Sequence, residues 1–227
     1  MIATGSSRLF ATAAKRNIAV VLSGCGVYDG SEIHEAVFVL ESISRRRAQY
    51  QCFAPNIPQM HVVNHLTGEP SNEQRNVLTE SARIARSNVL DIEKLDLSKF
   101  DAGVFRGSLG AAKNLSLPSP VTSVINAFHS AKKPIGACCI APVLLARTLP
   151  GVHVTLGQEK VCDENPYADA CGAAKIMGAT HVQCKPTEVC VDKENRIVTT
   201  PAYMHNSPIH VVRDGIDNMI EELLKLM

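Results

Sequence analysis

Two cysteines stand side by side in KKPIGACCIAPVLLARTL, residues 132–149, where an apolar run gives way to helix formers. A strand–nucleophile–helix bend of this kind lifts one side chain above a sheet and turns a helix N-terminus toward it. Partial positive charge and free N–H groups there favour the thiolate, the form in which cysteine attacks carbon or is oxidised. Only one of the pair fits the bend. Cys138 closes the strand and points elsewhere, while Cys139, three residues before Pro142, holds the elbow position. The pattern leaves a second reading open, in which both are small thiols buried as core hydrophobes.

The other chemistry-bearing residues narrow the choice by exclusion. The eight cysteines, at 25, 52, 138, 139, 162, 171, 184 and 190, are scattered and include no CxxC pair, so neither a zinc site nor a disulfide framework is expected. The segment SGCGVYDG, residues 23–30, follows a strand but has neither GxGxxG spacing nor a Walker lysine, and Asp29, Glu32 and Glu35 would repel a pyrophosphate. Its glycines instead suit a backbone passing close to something at the carboxyl end of a sheet, where open α/β folds keep their ligands. No cofactor and no metal are expected.

The elements that must position these residues alternate. Strand patterns at 18–22, 49–55, 101–107, 134–138 and 153–157 are interleaved with helical ones at 31–48, 76–86, 121–133, from Ile140 and at 167–177. Ser31 is the expected N-cap of the first helix, and residues 56–70 read as a long loop. Two strands, 188–192 and 196–202, and a helix over 208–226 complete the chain. The alternation predicts an α/β protein with a mainly parallel sheet covered on both faces, one domain over 17–227. Net charge is +1, Trp is absent and aromatics make up 4%, which excludes a nucleic-acid surface. No apolar run approaches the ~18 residues of a membrane span. Residues 1–16 carry Arg8, Lys15 and Arg16 with no acid before Asp29, the composition of a mitochondrial transit segment or else of an ordinary frayed terminus.

The blocks SGCGVYDGSEIHEA, LGAAKNLS, KPIGACCIAP and VTTPAYM, in that order, resemble the ElbB-type branch of the PfpI, class I glutamine amidotransferase-like superfamily, over about residue 17 to the C-terminus. The resemblance implies a flavodoxin-like three-layer sandwich with a nucleophile elbow, a homodimer and a mitochondrial location. It implies Cys139 as nucleophile and Glu35 as the acid hydrogen-bonded to it, with Glu32 one helical turn away as competitor. It also implies an oxyanion hole from the Gly107–Ser108 loop and the N–H of Ile140. Related proteins carry Pro-Gly-Gly where this chain has Arg106-Gly107-Ser108. The protease-like and amidotransferase branches often place a histidine directly after the cysteine, where this chain has Ile140. Other relatives place one just beyond the next strand, where it has Gly157-Gln158-Glu159, so no Cys–His–acid triad is visible. His34 diverges from its neighbour Glu35 by about 100° on a helix, and His65 is placed to reach the mouth of a pocket. The function implied is a cofactor-independent, glyoxalase-like enzyme acting on small reactive carbonyl compounds. A redox-responsive, protective role for the same cysteine is the alternative, and an amidotransferase-like subunit fits poorly without the histidine.

Overall fold

The computed structural model describes residues 15–107 and 120–227. Its elements in chain order are β1 (Asn17–Val21), α1 (Ile33–Arg45), β2 (Gln49–Ala54), α2 (Val77–Ile84), β3 (Val89–Asp91), β4 (Ala102–Arg106), α3 (Pro120–Ser130), β5 (Ile135–Cys138) and α4 (Pro142–Thr148). There follow β6 (His153–Val154), α5 (Asp169–Ile176), β7 (Thr180–His181), β8 (Cys190–Asp192), β9 (Ile197–Thr200) and α6 (Ile209–Lys225). Seven strands form one sheet in the order β3-β2-β1-β4-β5-β9-β8, parallel except where β8 meets β9. Strands β4, β5 and β9 are buried at every residue, as continuous apolar runs covered on both faces must be.

This order fixes where the site lies. From β1 the chain winds outward through β2 and β3, then returns to place β4 on the other side of β1. The strand order reverses there, which opens a crevice at the carboxyl ends of β1 and β4. Helices α1 and α6 pack against each other, pinned by Arg46 on Asp217 at 2.5 and 2.9 Å, while α3 packs against α4. The Asp217 carboxyl accepts from Arg46 and Ser42 and is held down at about 2.

The expected α/β sandwich is present, with local differences. Helix α1 is capped by Glu32, whose carboxylate accepts from the Glu35 N–H at 2.7 Å, and not by Ser31. Ser31 Oγ is taken by the Ser23 N–H at 2.8 Å. Helix α4 begins at Pro142 because residues 139–141 form the turn itself. The expected strand at 153–157 shrinks to β6, which pairs with β7 in a separate small sheet. Strands β3 and β7 are too short to leave a periodic signal. The glycine-rich turn meets its own chain: a Cβ at Gly26, whose φ is +145°, would lie 2.5 Å from the His65 ring. Asp29 accepts the Val63 N–H at 2.8 Å, which ties the long loop over that turn. Of the eight thiols, all free, six are buried, Cys25 is half-buried and Cys162 is exposed.

Candidate active site

Cys139 follows the last residue of β5 with φ +60°, a conformation that costs an L-residue ~1–2 kcal/mol and persists only where its surroundings fix it. Its N–H donates to Thr200 O at 3.2 Å, and the Ala141 N–H closes the turn on Cys138 O at 3.1 Å. Pro142 then opens α4, where its missing N–H costs nothing. The bend separates the two thiols. Cys138 is wholly buried and its sulfur accepts the Gly107 N–H, whereas Cys139 is 7% exposed and reaches a cleft.

Glu35, on the first turn of α1, has no exposed surface. Its Oε1 accepts the backbone N–H of Tyr203 at 3.2 Å, and its carboxyl meets the Cys139 thiol. Its Oε2 has no hydrogen-bond partner among the described residues. Burial first, then the charge of Glu32, push the Glu35 carboxyl up to about 8. Glu35 is therefore protonated at neutral pH, with a hydrogen to give. Burial also pushes the Cys139 thiol well above its ordinary value, and an ionised Glu35 would raise it further. The Ile140 N–H on the sulfur acts the other way and is outweighed. Desolvation thus overrides the dipole effect expected from the pattern, and the pair rests as neutral thiol and neutral acid. Glu32 faces the same cleft but is occupied as the α1 cap.

Of the two expected oxyanion donors, the Ile140 N–H meets Cys139 while the Gly107 N–H serves Cys138. Gly107 lies on the elbow so closely that a Cβ there would stand 2.4 Å from the Ala141 nitrogen and 2.6 Å from that of Ile140. Ser108 and the LGAAKNLS block up to residue 116 lie outside the described residues. Arg106 is wholly buried beneath the site. Its Nη1 reaches Glu32 O at 3.5 Å, its Nε and Nη2 have no partner among the described residues, and its charge draws Glu35 downward.

The cleft above Cys139 has a volume of about 780 Å³. Val27, Ile140 and Tyr167 give it apolar walls, and Glu32, His34, Tyr203 and His205 supply polar groups. His34 does diverge from Glu35: its side chain is 53% exposed, with Nδ1 3.2 Å from Tyr203 Oη and 3.6 Å from Glu32 Oε1. His65 does not reach the cleft. Its Nε2 accepts the Tyr28 N–H at 3.2 Å over the glycine-rich turn. Sequence reasoning gave no role to Tyr203 or His205, although Tyr203 lies in the block VTTPAYM. A backbone N–H aimed at a carboxyl 168 positions away has no residue-type signature.

No family model matches the chain. It is similar to the human protein named glutamine amidotransferase-like class 1 domain-containing protein 3, mitochondrial, at 49% identity over 92% of this chain and 82% of that one. It is also similar to the rat ES1 protein homolog, mitochondrial, at 48% identity over 93% of this chain and 84% of that one. Among solved structures, an isoprenoid biosynthesis protein with an amidotransferase-like domain from Ehrlichia chaffeensis superposes with TM-score 0.85. The two are 40% identical over 93% of this chain and 99% of that one. ThiJ/PfpI and DJ-1 structures share the fold at lower identity.

Proposed function

This chain belongs to the mitochondrial family of the ES1 proteins and glutamine amidotransferase-like class 1 domain-containing protein 3, and from that premise we propose that it is a cofactor-independent, glyoxalase-like enzyme. One observation carries the reading: a thiol held at a strained bend faces a buried, protonated carboxyl at the floor of a cleft. The Cys139 sulfur adds to the aldehyde carbon of a 2-oxoaldehyde as its proton passes to Glu35, whose own proton goes to the carbonyl oxygen. The Ile140 N–H, which meets the sulfur at rest, is the group we assign to the oxygen that gains charge. The Glu35 carboxyl then takes the carbon-bound proton at one oxygen and gives a proton from the other to the ketone oxygen, which makes an enediol. A second exchange takes the C1 hydroxyl proton back to Glu35 and returns a proton to C2. The product is the Cys139 thioester of a 2-hydroxy acid, which water releases.

The resting protonation state favours this over the redox role. Oxidation tracks thiolate character and exposure, and Cys139 at rest has little of either. With methylglyoxal, the parent is expected to form lactate and Cys139→Ala to fall to the uncatalysed rate. Equal rates in the two, or no lactate from the parent, would overturn the proposal.

Residues 1–16 are proposed as the segment that delivers the protein to mitochondria, since their only charges are Arg8, Lys15 and Arg16 and β1 starts at Asn17. Deleting residues 2–14 should leave the melting temperature unchanged and shift the protein to the cytosol on fractionation. Retention in mitochondria would show that the address lies elsewhere.

A further inference from the structure

We propose that His34 is the base that releases the acyl group from Cys139, its Nε2 taking a proton from the attacking water. The inference rests on the Cys139 chemistry above and supplies the group that chemistry lacks, since Ile140 stands directly after the nucleophile. His34 and Cys139 line the same cleft. At Nδ1 the imidazole meets Tyr203 Oη at 3.2 Å and the Glu32 carboxylate at 3.6 Å. A carboxylate on that side favours the Nδ1–H tautomer, which leaves Nε2 as the acceptor. The ring is steered from two sides, stacked on Phe38 with centroids 6.3 Å apart and tilted against Tyr203 at 6.1 Å. It also stays 53% exposed, so water reaches it.

The same two residues hold acid and base together. Tyr203 gives its backbone N–H to Glu35, and its hydroxyl oxygen accepts the Nδ1–H of His34. Glu32 accepts the Glu35 N–H with one oxygen and faces His34 with the other. His205, also in the cleft, lacks such an arrangement: its Nδ1 lies 2.8 Å from Ser207 Oγ, and no carboxylate pairs with it among the described residues. In the step itself, the water oxygen bonds to the acyl carbon and the water proton moves to Nε2. The C–S bond breaks with its electron pair on sulfur, which takes the Glu35 proton. Solvent then reprotonates Glu35 and removes the proton from His34, so thioester and water become acid and thiol.

The test separates this step from aldehyde chemistry by acetylating Cys139 with p-nitrophenyl acetate. The nitrophenolate burst reports acylation, and intact mass reports how long the acetyl group survives. His34→Gln and His34→Ala are expected to show the parent's burst and to lose acetyl about tenfold or more slowly, within the range of general-base effects. Added imidazole should restore release in His34→Ala, which a purely structural histidine would not allow. His210→Gln, on the exposed surface of α6, should behave as the parent. Parent-like release from both His34 variants, or slow release from His205→Gln alone, would overturn the inference. A parent that is not acetylated at Cys139 would remove both this inference and the nucleophile assignment. Release that depends on His34 in a protein forming no lactate would remove the glyoxalase reading alone.

Discussion

Glu35→Gln is expected to stabilise the protein increasingly as pH rises from 5 to 8, and to level off above that. In the folded protein Glu35 keeps its proton up to about 8, whereas the unfolded chain releases it near 4.5. Between those values the native state binds the extra proton, so stability falls as pH rises. The Glu35 contribution is thus fully present below 4.5 and lost by about pH 8. At ~1.4 kcal/mol per pH unit, the span from 4.5 to about 8 is on the order of 5 kcal/mol, an upper figure because Glu35 and the Cys139 thiol affect each other's ionisation. Urea melts of parent and variant from pH 5 to 9 read this directly. A difference that stays constant with pH would mean that Glu35 ionises normally and is no proton donor.

Two companion variants assign the cause. Glu32→Gln keeps the oxygen that caps α1 but removes the charge that raises Glu35, so the parent's falling limb should move to lower pH. Glu35→Ala removes the donor that Glu35→Gln retains. Iodoacetamide labelling of Cys139 at pH 7 should therefore fall about tenfold in the Ala variant, the worth of one charge-assisted hydrogen bond, and much less in the Gln variant. If Glu32→Gln changes labelling while neither Glu35 variant does, the acid is Glu32.

The sheet and the elbow were legible because buried parallel strands are continuous apolar runs, and because Pro142 marks where the chain leaves the strand. Glu35 was legible as a position through the resemblance, and a carboxyl set against a thiolate in a dry pocket is expected to keep its proton; the surroundings that enforce this were not. That state depends on desolvation by α1, the elbow and the 202–204 turn, brought together from distant parts of the chain. The same holds for the thiol. A helix N-terminus after Cys139 predicts a lowered value, yet the depth that hides the sulfur wins. His34 was set aside because helical neighbours diverge. They do, but Tyr203 spans the gap, with its amide on one and its hydroxyl on the other.

Gly107→Ala tests whether the elbow is held by packing. The Cβ would meet backbone nitrogens at 2.4 and 2.6 Å, and backbone cannot swing aside as a side chain can. One of the two structures must move. The elbow is the weaker, because Cys139 already sits at φ +60° and is kept there by the bonds to Thr200 and Cys138. Forced overpacking of this kind costs ~1–3 kcal/mol, and the strain already present puts the expected loss at about 3. The chemical effect is expected to exceed the thermodynamic one. Shifting the Ile140 N–H off the Cys139 sulfur by about 1 Å should lower any turnover roughly a hundredfold. Gly172→Ala is the matching control: it lies on the exposed face of α5 with nothing within 4 Å of its Cβ. As a glycine inside a helix it should gain up to ~1 kcal/mol on substitution and leave Cys139 untouched. Thermal melts and Cys139 labelling on both variants decide the matter. A Gly107→Ala protein that melts with the parent and labels at the parent's rate would show that the 107 loop yields freely, and that the bend at Cys139 is held by β5 and β9 alone.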